Sequence, residues 1–268
     1  MDIIKKLAQE LTIKEEQAKA AVQLIDEGNT IPFIARYRKE MTGALNDETL
    51  RNLHERLLYL RNLEEKKEQV INAITEQGKM TDDLKKKILA AETLVAVDDL
   101  YRPYRPKKQT RATKAKEKGL EPLANILLLQ ATSKSMEEEA QSFVDEAKGV
   151  TNAKEALAGA KDIIAEMIAD KADYRKSIRN CTMKQGRLVV KAKDEKAESV
   201  YEMYYDFSEE LSKITGYRVL AINRGEKEKF LTVKVEAPDA QIVNALNKTM
   251  IKDNPNTKTL MEETVLDA

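Results

Sequence analysis

The sequence predicts a mainly α protein: a multi-helix array built round one long central helix, with a helix-turn-helix-like element before it and a minor β element after residue 186. Three observations carry this. Ala, Glu, Lys and Leu dominate while Gly (9) and Pro (6) are scarce in 268 residues, the balance of helices with solvated outer faces. Apolar residues recur at three- and four-residue spacing through most of the chain. Two β-branched segments, RLVVKAK (187–193) and FLTVKV (230–235), then break that texture. The change divides the chain into an expected helical domain, 1–185, and the start of a central region, 186–268.

Residues 2–10 read as a short helix, and Thr12 with Glu15 as a capping box for a second. Ala18, Ala21, Val22 and Ile25 fall on one face of that second helix, and Gly28 can end it in the left-handed conformation. In IPFIARYRKEMTGAL (31–45), Pro32 suits a first helical turn. Phe33, Ile34 and Tyr37 can share one side while Arg36, Arg38 and Lys39 project elsewhere. Asn46 or Asp47 caps the longest helix, 47–77. Leu50, Leu53, Leu57 and Leu60 keep a 3-4-3 spacing that drifts to Leu63, Val70 and Ile74, the pattern of a core stripe. Gly78 ends it. Thr81, followed by Asp82 and Asp83, caps the next helix, and Thr93–Leu100 is another.

Arg111–Lys118 can be helical, with Gly119 as terminator, and Pro122 opens an apolar segment. Residues 133–150 read as one solvated helix with an apolar edge at Met136, Ala140, Phe143 and Ala147. Asn152 and Glu155 resemble a cap. Ala156, Leu157, Ala160, Ile163, Ile164, Met167 and Ile168 form a wide buried face on a helix that runs, with a break near Asp173, to Gly186. The two β-branched segments can pair. Between them, ESVYEMYYDFSEELSKITGYRVLAINRGEKE reads as helices with a polar turn near Arg224–Gly225. Asp239 caps a helix to about Lys252, DNPNT is a loop, and TLMEETVLDA starts a helix that the chain ends within, as expected of a piece of a longer protein.

The charge balance excludes a polycation: 46 basic residues face 46 acidic ones, so any nucleic-acid affinity has to come from local patches. One cysteine, Cys181, leaves no internal disulfide and fits a reducing cytosol. One histidine, His54, leaves no His-rich metal site. No stretch approaches the roughly 20 apolar residues of a membrane span, and the N-terminus lacks a signal-peptide pattern. The expectation is a cytoplasmic protein without metal or cofactor. GxxxxGK[ST], GxGxxG and GxSxG are absent. Asp98 and Asp99 are adjacent, so on a helix they point about 100° apart and cannot readily flank one bond. Catalysis is not expected.

One stretch departs from this neutrality. DDLYRPYRPKKQTRATKAKEKGLEP (98–122) carries Arg102, Arg105, Lys107, Lys108, Arg111, Lys114, Lys116 and Lys118 against the single acid Glu117 in its 102–118 portion. Pro103 and Pro106 forbid a regular helix at its start. Tyr101 and Tyr104 sit among the cations. Cations beside aromatic surface suit a phosphate backbone and unstacked bases. The same pattern also fits a solvated loop whose tyrosines pack on neighbouring helices. Arg36, Arg38 and Lys39 are secondary candidates.

Four segments together resemble the Tex family of bacterial transcription accessory proteins: IPFIARYRKEMTGAL, DDLYRPYRPKKQTRATKAKEKGLEPLA, ALAGAKDIIAEMIAD (156–170) and YRVLAINRGEKE (217–228). The likeness covers essentially the whole chain. Gln109 stands where the family usually has a basic residue, and Asn46 where Asp is usual. The resemblance implies a longer protein, with a ribonuclease-H-like domain, helix-hairpin-helix motifs and a C-terminal OB-fold beyond this region. It also implies similarity in architecture to a eukaryotic elongation factor. It implies nucleic-acid binding, RNA or DNA, linked to transcription and without catalysis. The alternative expectation is a helical interaction scaffold that docks RNA polymerase, ribosome-associated factors or the C-terminal domains.

Overall fold

Asp2 accepts a hydrogen bond from the Lys5 N–H at 3.1 Å and starts α1 (Ile3–Leu11) in the computed structural model, which describes residues 2–106 and 108–268. Thr12 does not open the next helix. It closes α1 in the left-handed conformation (φ 56°), where the Ile13 N–H reaches back to the Ala8 carbonyl at 3.0 Å. The start of α2 (Glu15–Asp26) is fixed instead by the Lys14 N–H, which donates to Gln17 Oε1 at 3.1 Å. Gly28 ends α2 with φ 84°. α3 (Ile31–Tyr37) follows with Pro32 in its first turn. The Gln17 amide then pins the following turn by donating to the Thr42 and Gly43 carbonyls at 3.2 and 2.9 Å.

The long helix is present as α4 (Asp47–Glu76), capped by Asn46, whose Oδ1 accepts from the Thr49 N–H at 2.7 Å. Thr81 and Thr93 cap α5 (Asp82–Ala90) and α6 (Leu94–Tyr101) in the same way. Every member of the α4 stripe is buried: Leu50, Leu53, Leu57, Leu60, Leu63, Val70 and Ile74. They meet Leu7, Ala18, Ala21, Ile34, Ile88 and Val97 from the shorter helices in one core. Lys67 occupies the stripe position between Leu63 and Val70 and is only 2% exposed. Its ammonium donates to Glu64 Oε1 at 2.8 Å and to the Leu89 carbonyl at 2.9 Å, near the C-terminus of α5. A cation there satisfies an end carbonyl that the helix leaves without a partner. On the rim, Arg56 and Arg61 of α4 form two-pronged pairs with Glu10 of α1 and Asp26 of α2. These elements form the first compact unit, Met1–Tyr104; the second is Arg105–Ala268.

The second unit is arranged round α10 (Ala153–Asp170), which packs against α7 (Arg111–Glu117), α8 (Glu121–Leu129), α9 (Met136–Gln141) and α14 (Lys258–Asp267). Ala156, Leu157, Ala160, Ile163, Ile164 and Ile168 are buried as expected; Met167 is largely exposed. The single helix expected over 133–150 is not formed. α9 stops at Gln141, where the Ser142 hydroxyl donates to the Glu139 carbonyl at 2.7 Å and competes with the helical ladder. Asp145 then caps a short 3-10 turn, and Asp145 and Val150 exchange a bridge.

α11 (Ala172–Gln185) leads to a sheet of order β2-β1-β3, antiparallel throughout: β1 (Arg187–Ala192), β2 (Asp206–Glu210) and β3 (Leu231–Glu236). β1 and β3 pair as expected. β2 corrects the expectation of helix over 206–210. Phe207 and Glu209 alternate with Asp206, Ser208 and Glu210, and the strand is defined by its pairing to β1 from Arg187↔Glu210 to Lys191↔Asp206. α12 (Gly216–Lys227) is also a correction, since it runs unbroken through Arg224–Gly225. Gly225 serves close packing there rather than a turn: a Cβ at this position would lie 2.6 Å from Leu231 Cδ1 of β3. The expected boundary at residue 185 coincides with the passage from α11 to β1, inside the second unit.

α13 (Asp239–Met250) precedes the 251–257 loop, which is held by Gln130 at the end of α8. Gln130 is buried with φ 52°. Its amide donates to the Met250 carbonyl at 2.8 Å, accepts from the Lys252 N–H at 2.9 Å, and its own carbonyl accepts from Asn254 at 3.0 Å. In all, the described residues form fourteen α-helices and one small sheet.

Two outcomes follow. Lys67→Ala leaves the Leu89 carbonyl without its donor and opens a void, so urea unfolding should show a loss of about 2 kcal/mol. Lys67→Met, which refills the space, should cost clearly less; equal costs would mean that the hydrogen bonds dominate. The Arg56 and Arg61 guanidinium hydrogen bonds hold the Glu10 and Asp26 carboxyls below their ordinary values. A lowered folded-state value contributes stability above the unfolded value and loses it as pH falls through the folded one. Urea midpoints should therefore drop below about pH 4, with a shallower drop in the Glu10→Gln, Asp26→Asn double variant.

Candidate nucleic-acid interface

The basic stretch begins at the end of α6 and passes through a 3-10 turn, Arg102–Tyr104, as the prolines require. Tyr101 and Tyr104 are half-buried against the core of the first unit, and the Tyr104 carbonyl accepts from the Gln77 amide at 3.0 Å. Arg102 is exposed. Also in this unit, Arg36 and Lys39 are exposed, while Arg38 lies over the Phe33 ring at 5.0 Å, and the Phe33 and Tyr37 rings sit 5.3 Å apart, tilted by 44°.

The remaining cations belong to the second unit. Arg105 and Lys108 are exposed; Lys107 lies outside the described residues. Thr110 caps α7 through its hydroxyl, which accepts from the Thr113 N–H at 3.0 Å. Ala112 and Ala115 are buried, and Gly159 of α10 admits Ala115. A Cβ on Gly159 would stand 2.4 Å from Leu120 Cδ1 and 3.1 Å from the Ala115 Cβ. With the alanines inward, helical geometry puts Arg111, Lys114 and Lys118 on one flank at i, i+3 and i+7, and Lys116 on the other.

These cations differ in what holds them. The Lys118 ammonium donates to the Gly149 carbonyl at 2.8 Å. Arg111 is engaged twice, by Asp267 of α14 at 2.7 Å and by Asp162 of α10 at 3.4 Å. These groups line a cavity of about 160 Å³ with Thr110, Ala165 and Glu166. Burial pushes the Asp162 carboxyl above the ordinary aspartate range; Arg111 opposes this and the Asp267 charge adds to it. Among the described residues, no ion pair engages Lys108, Lys114 or Lys116. Sequence reasoning missed Asp162 and Asp267 because nothing local marks a partner 156 residues away. Lys148 on the 145–149 turn pairs with Asp145 at 3.1 Å.

Among the described residues no cluster of three metal-ligating side chains occurs, and no helix is long and apolar enough to cross a membrane. The fold and site define a helical protein with a small sheet and a cation-rich surface segment. A family model for the Tex-like protein N-terminal domain matches residues 1–75, and one for the Tex central region matches residues 131–264. The chain belongs to the Tex family. It is 42% identical over 266 residues to the protein YdcI of Bacillus subtilis, covering 98% of this chain and 37% of that one. It is 41% identical over 239 residues to the transcriptional accessory protein Tex of Neisseria gonorrhoeae, covering 88% and 31%. It is 32% identical over 248 residues to the human S1 RNA-binding domain-containing protein 1, covering 89% and 24%. The chain thus spans about a third of the length of its bacterial relatives.

Replacing Gly159 with Val should displace the Leu120 side chain and press on Ala115 of α7. Overpacking of this kind costs about 1–3 kcal/mol, readable as a lowered urea midpoint. An unchanged midpoint would mean that the two helices do not rely on this close approach.

Proposed function

We propose that this chain is the N-terminal and central part of a Tex-type transcription accessory protein that binds nucleic acid without sequence preference and without catalysing a reaction. The observation that carries this reading is the concentration of cations from Arg102 to Lys118 in a chain of zero net charge. Exposed Arg102, Arg105, Lys108, Lys114 and Lys116 would contact phosphates, together with Lys107; Arg36, Arg38 and Lys39 would add a lesser contribution in the first unit. Tyr101 and Tyr104, half-buried, have one ring face or edge at most for a base. Arg111 is the least available of the set because of its two carboxylates. Family membership supports a link to transcription, and the names of two relatives refer to transcription and to RNA. A protein acting on nucleic acid in this way would work in the cytoplasm.

A second reading is favoured by exposed apolar surface. α11 and α13 bury no residue completely, and α12 presents Tyr217 and Leu220 at 65% and 73% exposure. Such faces suit docking of RNA polymerase, ribosome-associated factors or the further domains of the longer relatives.

The deciding experiment is fluorescence anisotropy with a labelled single strand and a labelled duplex over a salt series. If four or five cations engage the duplex, the log–log slope against salt should be about −4. The Arg105→Ala, Lys107→Ala, Lys108→Ala triple variant should weaken binding and flatten the slope by about 3. Absence of binding at low salt would reject the nucleic-acid reading for this chain and favour docking.

A further inference from the structure

We propose that Asp162 and Asp267 compete with phosphate for Arg111, so that nucleic acid bound along α7 and the α14 turn that carries Asp267 oppose each other through one guanidinium. This rests on the nucleic-acid reading above and adds a regulatory contact to the same surface.

The geometry points to it in three ways. First, Arg111 begins the flank that continues through Lys114 to Lys118. Seven residues of helix cover about 10 Å, close to three steps of a nucleic-acid strand at about 3.4 Å each. A strand that follows Lys114 along this flank therefore reaches Arg111. Secondly, the Arg111 side chain is 68% exposed although it is paired twice. Exposed pairs of this kind are weak, while a guanidinium binds phosphate with two parallel hydrogen bonds. Exchange of carboxylate for phosphate is therefore an accessible equilibrium.

Thirdly, the carboxylates depend on Arg111 in return. Asp162 is half-buried on α10, and both burial and the nearby Asp267 raise its carboxyl. Removing the guanidinium leaves two acids facing each other across the α10–α14 contact. The rest of α14 has separate anchors: Met261, Thr264 and Val265 are buried, and Glu263 meets Lys161 at 2.7 Å. Loosening is thus confined to the turn that carries Asp267, and the helix does not detach. Coupling between two binding events is reciprocal, so phosphate that takes Arg111 weakens that turn, and a weakened turn favours phosphate.

The test is a double-mutant cycle on the full chain, read by anisotropy with the labelled duplex. Asp267→Asn should tighten binding about threefold at low salt and steepen the salt slope by about 0.9, the contribution of one further phosphate contact. Arg111→Ala in the native background should change binding by less than about twofold. In the Arg111→Ala background, Asp267→Asn should give no gain. A gain that persists without Arg111 shows a general charge effect and overturns the proposal, as does an Asp267→Asn variant that binds like the native chain. Hydrogen exchange of residues 258–267 supplies a readout in the unaltered protein. Duplex should speed exchange there; slowed or unchanged exchange rejects the competition. Failure of every variant to bind duplex overturns the nucleic-acid reading itself, whereas binding without these differences rejects only the role of Asp162 and Asp267.

Discussion

The close approach of α7 to α10 at Gly159 sets the arrangement of the second unit. A Cβ at that position would lie 2.4 Å from Leu120 Cδ1 and 3.1 Å from the Ala115 Cβ, so Leu120 would have to shift. The short helix is thereby seated by its two alanines, and only then do its cations have a defined direction. A seven-residue helix has little stability of its own. Its orientation comes from what it packs on, so a surface feature, the row of cations on one flank, follows from a buried contact between small residues.

α4 has the corresponding role in the first unit, with one difference. Its leucine stripe is interrupted by a buried lysine that donates to Glu64 and to the Leu89 carbonyl. A leucine at 67 would suit the stripe equally well on periodicity. Lys67 instead ties α4 to the end carbonyls of α5 and so fixes where that helix stops against it. Buried polar contacts of this kind add less to stability than to the choice of one packing over its neighbours.

What was legible in the sequence follows the range of the interactions. The caps at Asn46, Thr81 and Asn152 were readable because each joins a side chain to a backbone group three residues away; Thr93, expected inside its helix, caps it in the same way. The α4 and α10 stripes were readable because helical period is a local property. β2 was not, since Asp206, Glu209 and Glu210 favour a helix by composition and become a strand only through β1. The Glu209 carboxylate also finds Arg218 of α12 at 2.6 Å, a partner that only the fold supplies. Gly225 carried the wrong message: a glycine beside Arg224 resembles a turn until Leu231 is placed against it. At the candidate site, the excess of cations was visible by counting. The division among exposed lysines, Lys118 on a carbonyl and Arg111 between two carboxylates was not, because the deciding partners come from α10, α14 and the 145–149 turn.

The position of α14 in the second unit bears on how the chain is made. The first unit is wired locally, each helix finding its core within the first hundred residues, so it can fold while the remainder is still being synthesised. The second cannot be completed that way. Met261 and Val265 join the α10 core and Glu263 pairs with Lys161 on its rim, about a hundred residues downstream. Until those residues leave the ribosome, Ala160 and Ile164 have an unfilled neighbour. During that interval the apolar face of α10 is only partly covered.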